Sequence, residues 1–131
     1  MKRFVSSVVC ALAFTAVAGA AHADSKCSNF DIIVENNFVS GGLGREIKVI
    51  DMEYFDNEDG KWRSEVTGNE TINPGSSETW TKNLEYVGGE SGVIVKIHYK
   101  AFVNGAWTST LFENSSSFQC VDNGFVRVTV E

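Results

Sequence analysis

The sequence predicts an all-β fold, an antiparallel β-sandwich of immunoglobulin-like or related type, with about seven to nine short strands and one disulfide. Three observations predict it. Beyond the first two dozen residues, apolar and polar side chains exchange at every second position, with many β-branched and aromatic types and no run of helical apolar spacing. Gly, Asn and Asp interrupt these runs at short intervals, and the single Pro lies in the turn-forming segment Asn73-Pro74-Gly75-Ser76. The three cysteines divide into Cys10, inside an apolar leader, and the pair Cys27 and Cys120 near the ends of the remaining chain.

The leader comes first. Met1-Lys2-Arg3 gives a positive start, the run from Phe4 to Ala21 is uncharged and rich in Ala and Val, and Ala21-His22-Ala23 supplies small residues where a signal peptidase reads. Residues 1–23 are therefore expected to be a cleaved signal peptide and residues 24–131 a single secreted or periplasmic domain. The run is short and weakly hydrophobic for a bilayer span, so no integral membrane protein is expected. Val9 occupies the position before Cys10 where a lipoprotein signal needs a small residue. In an oxidising compartment Cys27 and Cys120 read as a disulfide. They show no CxxC spacing, and His98 alone accompanies them once His22 leaves, so neither a redox centre nor a zinc site is expected.

Strands are expected over 30–38, 46–55, 61–67, 70–72, 78–84, 92–103, 106–113, 116–120 and 125–130, with Gly-rich loops at 39–44 and 87–92. Asn104-Gly105 favours a two-residue type I′ hairpin that sets Val103 opposite Ala106 and Phe102 opposite Trp107. Continued without interruption, that register sets Tyr99 against Thr110 and Ile97 against Phe112. Val93, Val95, Ile97, Tyr99, Ala101 and Phe112 then form a core face, and Lys96, His98, Lys100, Phe102 and Trp107 lie on the other. A three-residue loop ending at Gly60 would set Asn57 opposite Lys61, Tyr54 opposite Ser64 and Met52 opposite Val66. Trp62 and Ile50 would join that core face. Ile47 and Val49 are out of phase with Ile50, Met52 and Tyr54, which a β-bulge near Val49 would reconcile. In the last strand Val126, Val128 and Val130 are expected inside, with Arg127 and Thr129 outside. The disulfide is expected to clasp the first and last strands together.

Four groups of residues are candidates for function. Phe102 and Trp107, flanked by His98 and Lys100, put two aromatic rings on a solvent face, where they form either a ligand platform or a stabilising cross-strand pair. Asp51, Glu53 and Glu65 form an acidic cluster in the expected register, with Glu53 facing Glu65. Such carboxylates could hold Ca²⁺ or serve in sugar hydrolysis, or simply form a solvated face. His98 is a candidate general base, but no nucleophile-elbow motif accompanies it, and no catalytic residue is assigned. The loop at 87–92 is Gly-rich like a phosphate cradle, but a strand rather than a helix follows it. Asn69-Glu70-Thr71 and Asn114-Ser115-Ser116 fit the glycosylation sequon. The segment 56–60 lacks the carboxylate offsets of a calcium loop, and no metal or other cofactor is expected.

Removing Lys2 and Arg3 from the 11 basic residues leaves nine against 17 acidic ones, a net charge of −8. That balance excludes simple attraction to nucleic acid or anionic lipid. The acidic balance, scattered Trp and Gly89-Glu90-Ser91-Gly92 segment resemble in part the aegerolysins, small sandwiches that bind membrane lipids; no residue role is carried over from them. The expected function is a non-enzymatic exported domain that recognises a protein or a glycan through a sheet face or end loops. The alternatives are a lipid-binding or pore-forming sandwich and a small hydrolase using Glu53, Glu65 or His98.

Overall fold

The computed structural model describes residues 25–131; the signal-peptide reading of residues 1–23 and Cys10 lies outside them. The described residues form an all-β, sandwich-like structure. The long strands are β1 (Cys27–Asn36), β4 (Ile47–Asp56), β7 (Ser77–Leu84), β8 (Val95–Val103) and β11 (Phe125–Val130). Shorter ones are β2 (Val39–Ser40), β3 (Leu43–Gly44), β5 (Lys61–Glu65), β6 (Thr71–Ile72), β9 (Ala106–Trp107) and β10 (Leu111–Asn114). One sheet has the order β11-β1-β7; the larger has the order β10-β8-β4-β5, with β6 beside β4 and β9 beside β8. The segment 39–44, expected to be a loop, closes as the small β2–β3 hairpin, while 116–120 contributes one bridge, Val93 with Phe118.

A single hydrophobic cluster lies between the two sheets. Phe30, Ile32, Val34, Trp80, Leu84, Val126, Val128 and Val130 enter it from one side, and Ile47, Val49, Met52, Tyr54, Val95, Ile97, Tyr99 and Ala101 from the other. These residues alternate along their strands because successive side chains in extended backbone point to opposite faces. Trp80 satisfies its indole N–H by donating to Thr67 O at 3.0 Å, so the polar end of the ring enters the core without an orphaned donor.

The first and last strands do adjoin, in parallel, with Ile32 beside Val126 and Val34 beside Val128. The Cys27–Cys120 disulfide forms at the entrance to this pair, with a Cα–Cα separation of 5.7 Å between cysteines 93 positions apart in the sequence. The loop at 87–92 wraps the same end: Gly89 N–H donates to Cys120 O, and Cys120 N–H to Glu90 O. A disulfide of this kind belongs to an oxidising environment. No helix among the described residues is long and apolar enough to cross a membrane.

The bulge near Val49 is present: Val49 pairs with Tyr99 and Asp51 with His98, leaving Ile50 as the extra, half-buried residue. Two other registers differ from expectation by one residue. In the β4–β5 hairpin Asp56 pairs with Lys61, so the loop has four residues rather than three. The cause is Asp56 itself, whose Oδ1 accepts the Asp59 N–H at 3.0 Å and whose Oδ2 accepts from Arg63 Nε at 2.7 Å. This side-chain turn takes up the extra residue. Tyr54 now faces Arg63 and Phe55 faces Trp62, and Trp62 and Val66 leave the expected core face for solvent.

The second slip separates β9 from β10. Thr108 N–H donates to Ala101 O, and the Thr108 hydroxyl accepts the Ala101 N–H, which closes the strand end and lets residues 108–110 bow out. The Asn104-Gly105 turn holds Phe102 opposite Trp107 as expected, but beyond the bow Tyr99 pairs with Leu111 and Ile97 with Glu113. Leu111 packs against the core, and Phe112, expected inside, is 62% exposed.

Candidate functional site

The outer face of the larger sheet gathers most of the residues singled out by the sequence and adds four that sequence reasoning placed elsewhere or passed over. β8 presents Lys96, His98, Lys100 and Phe102 outward, because Val95, Ile97, Tyr99 and Ala101 are the buried half of its alternation. β4 presents Lys48, Asp51, Glu53 and Phe55. β5 adds Trp62, β9 adds Trp107 and β10 adds Phe112.

At one end Phe102 and Trp107 meet edge to face with ring centroids 5.2 Å apart, and Lys48 Nζ lies 4.4 Å from the Trp107 ring centre. At the other end Phe55 and Trp62 are 5.2 Å apart. Lys96 Nζ lies 3.7 Å over the Trp62 ring and 5.8 Å from that of Phe112. Each arrangement places a cation against the electron-rich face of a ring. Between the two ends His98 Nε2 and Glu53 Oε2 are 2.8 Å apart. From Phe102 to Lys96 the strand runs six residues, roughly 20 Å at about 3.3 Å per residue. The result is a long, flat strip of rings interleaved with hydrogen-bond donors and acceptors.

The acidic cluster does not form as expected. The one-residue slip of β5 sets Glu53 opposite Ser64 and Glu65 opposite Met52, so Glu65 lies on the inward face, separated by the sheet from Glu53 and Asp51. Paired-carboxylate chemistry between Glu53 and Glu65 is thereby excluded. Burial and, to a lesser degree, repulsion from Glu85 push the Glu65 carboxyl up, and Lys82 at 4.0 Å offsets this only in part. Asp51 accepts the Met52 N–H at 2.9 Å. Among the described residues no group of three or more His, Cys, Asp or Glu side chains is placed to hold a metal.

The inner end of the β4–β5 hairpin is closed by charge instead. Arg63 Nη2 lies 2.6 Å from Asp56 Oδ2 and 2.7 Å from Asp59 Oδ2, and its guanidinium stacks 3.8 Å from the centre of the Tyr86 ring. Tyr54 donates its hydroxyl to Glu85 O at 3.0 Å, and burial, reinforced by the Glu65 charge, pushes its pKa up to about 12. These groups are committed to one another, apart from the strip on the outer face.

Of the residues expected to bind a ligand, Phe102, Trp107, His98 and Lys100 share this face. Trp62, Phe55, Phe112 and Lys48 complete it. Lys48 could have been found from the β4 alternation, but Trp62 and Phe112 could not, since both follow from hairpin slips. Compared with known proteins, the chain matches no family model, no curated protein and no solved structure.

Proposed function

We propose that this chain is an exported, non-enzymatic binding domain that recognises a glycan through the outer face of its larger sheet. The observation that carries this reading is the pattern of rings along that face: Phe102 with Trp107, Phe112, and Phe55 with Trp62, separated by Lys48, Lys100, His98, Glu53 and Lys96. Exposed rings offer flat apolar surfaces to the C–H faces of sugar rings. Lysine and histidine donors and carboxylate acceptors between them suit hydroxyl groups, which need both. A flat strip about as long as several sugar units favours an extended chain over a protein side chain, whose anchoring residues seek pockets. The disulfide and the leader-like N-terminus support placing the domain outside the cytoplasm, in the periplasm or beyond the cell.

The test is affinity gel electrophoresis of the full chain, purified after export, in gels containing soluble neutral and charged polysaccharides. Retardation by at least one polymer is expected, and Trp62→Ala with Trp107→Ala should weaken it by about tenfold or more. Undiminished retardation of the double variant would remove the outer face as the site.

A further inference from the structure

We infer that Lys48 and Lys100 form an anion-recognising subsite and that the glycan bound by this face is acidic, carrying carboxylate or sulfate groups. This rests on the glycan reading above and narrows it. Lys48 and Lys100 are directly opposed across the β4–β8 ladder. Like charges so placed repel, and a strand pair gains nothing by holding them there. The domain is rich in carboxylates, and Lys61, Arg63, Lys82 and Arg127 each lie within 4.0 Å of an Asp or Glu oxygen, while Arg45 donates to Ser40 O and Lys96 lies over the Trp62 ring.

Among the described residues neither Lys48 nor Lys100 forms such a pair. Of the carboxylates on the same face of β4, Glu53 is engaged with His98 and Asp51 accepts the Met52 N–H. Glu46, which alternates onto the same face, reaches neither lysine. Two half-buried lysines thus stand opposite each other on the ladder without a carboxylate partner, Lys48 resting against the Trp107 ring, on a protein with an excess of negative charge. An anion seated between them would relieve their repulsion and gain from both.

The neighbours say what kind of anion. Trp107 lies beside Lys48, with its ring 4.4 Å from the ammonium, and Phe102 packs against Trp107. On the far side His98 follows Lys100 at the next outward position of β8. An acidic sugar would lay its ring toward Trp107 and Phe102, direct its charged substituent between the lysines, and continue its chain past His98 and Glu53 toward Lys96 and Trp62. A free inorganic anion would use the lysines but not the rings. A strongly acidic macromolecule without flat apolar rings would bind by charge alone and would not depend on Trp107.

The experiment uses the same full chain in gels containing polygalacturonate, dextran sulfate, or the neutral polymers dextran and hydroxyethylcellulose at equal mass. The expected result is at least tenfold tighter binding to one of the two polyanions than to either neutral polymer, weakening as salt rises. Lys48→Gln with Lys100→Gln should abolish that preference without lowering the thermal midpoint, since it removes a repulsion. Trp107→Ala should weaken polyanion binding as well. Stronger retardation by polygalacturonate assigns the carboxylate as the preferred group, and stronger retardation by dextran sulfate assigns the sulfate.

The inference is overturned if the double lysine variant keeps the wild-type preference, or if a neutral polymer binds as well as either polyanion. In the second case the glycan reading itself stands. Retardation by no polymer at all overturns both. Polyanion binding that is insensitive to Trp107→Ala also overturns it, by showing attraction to charge without recognition of a sugar.

Discussion

Asp56 and Arg63 form a nearly dry ion pair at the inner end of the β4–β5 hairpin, with Oδ2 and Nη2 2.6 Å apart and side-chain exposures of 1% and 17%. Asp56 also accepts the Asp59 N–H, so one carboxylate sets both the loop length and the strand register. Asp56→Ala should therefore destabilise the protein by about 2–4 kcal/mol, by leaving the guanidinium short of its closest partner and the loop without its cap. Urea unfolding at neutral pH measures this, and a loss below about 1 kcal/mol would show that the pair is dispensable.

The same residue gives a pH dependence. Burial acts to raise the Asp56 carboxyl, but the Asp59 N–H and the Arg63 guanidinium outweigh it and hold the group below the ordinary range. A carboxyl depressed in the folded state contributes stability above its unfolded pKa of about 4 and loses it as pH falls through the lower folded value. The wild type should lose stability below about pH 4, and Asp56→Asn should flatten that part of the profile. Thermal midpoints from pH 7 to pH 2.5 would show it.

Glu65 should behave in the opposite sense. Its carboxyl is raised in the folded state, chiefly by burial, so its contribution is favourable below the unfolded pKa and is lost as pH rises through the folded value. Glu65→Gln is expected to stabilise the protein at pH 7 by less than about 1 kcal/mol and to have no benefit at pH 3. A destabilised variant at pH 7 would mean that the pairing with Lys82 outweighs the burial.

The tryptophans should separate sharply. Trp80 is in the core and donates to Thr67 O, and Trp80→Ala should cost about 3–5 kcal/mol. Trp62 and Trp107 stand on the outer face, and truncating either should cost about 1 kcal/mol or less. Denaturant titration of the three variants tests the assignment of faces directly; a cost for Trp62→Ala approaching that of Trp80→Ala would place Trp62 in the core.

Reducing Cys27–Cys120 should lower the unfolding free energy by up to about 4–5 kcal/mol, as the chain-entropy model gives for a loop of this length. The sandwich interior remains, since most of its buried side chains belong to residues other than the two cysteines, and polysaccharide retardation should persist below the new midpoint. Parallel urea titrations with and without reductant would reveal the shift, and equal midpoints would show that the bridge constrains little.

Much of the fold was legible in the chain. Alternation marked the long strands and their buried residues, Asn104-Gly105 set Phe102 against Trp107, and the phase break after Val49 announced the bulge. The leader-free cysteine pair announced the bridge between the first and last strands. What misled was local chemistry at two strand ends: a carboxylate that lengthens one loop at Asp56, and a threonine hydroxyl that bows the other strand at Thr108. Neither leaves a periodic trace in the sequence.

Because side chains in a strand have a period of two, each of these single-residue slips turned every later side chain to the other face. Composition and alternation by themselves determined an all-β, disulfide-closed, acidic domain with an aromatic hairpin, because strands and tight turns depend on neighbours in the chain and charge and cysteine number are sums over it. Only the tertiary structure decided which face each aromatic joins. The slip at Asp56 moved Trp62 outward, the slip at Thr108 moved Phe112 outward, and the sheet brought both beside Lys96. Registers between distant strands depend on loop hydrogen bonds and on packing across the core, and these exist only once the chain is folded.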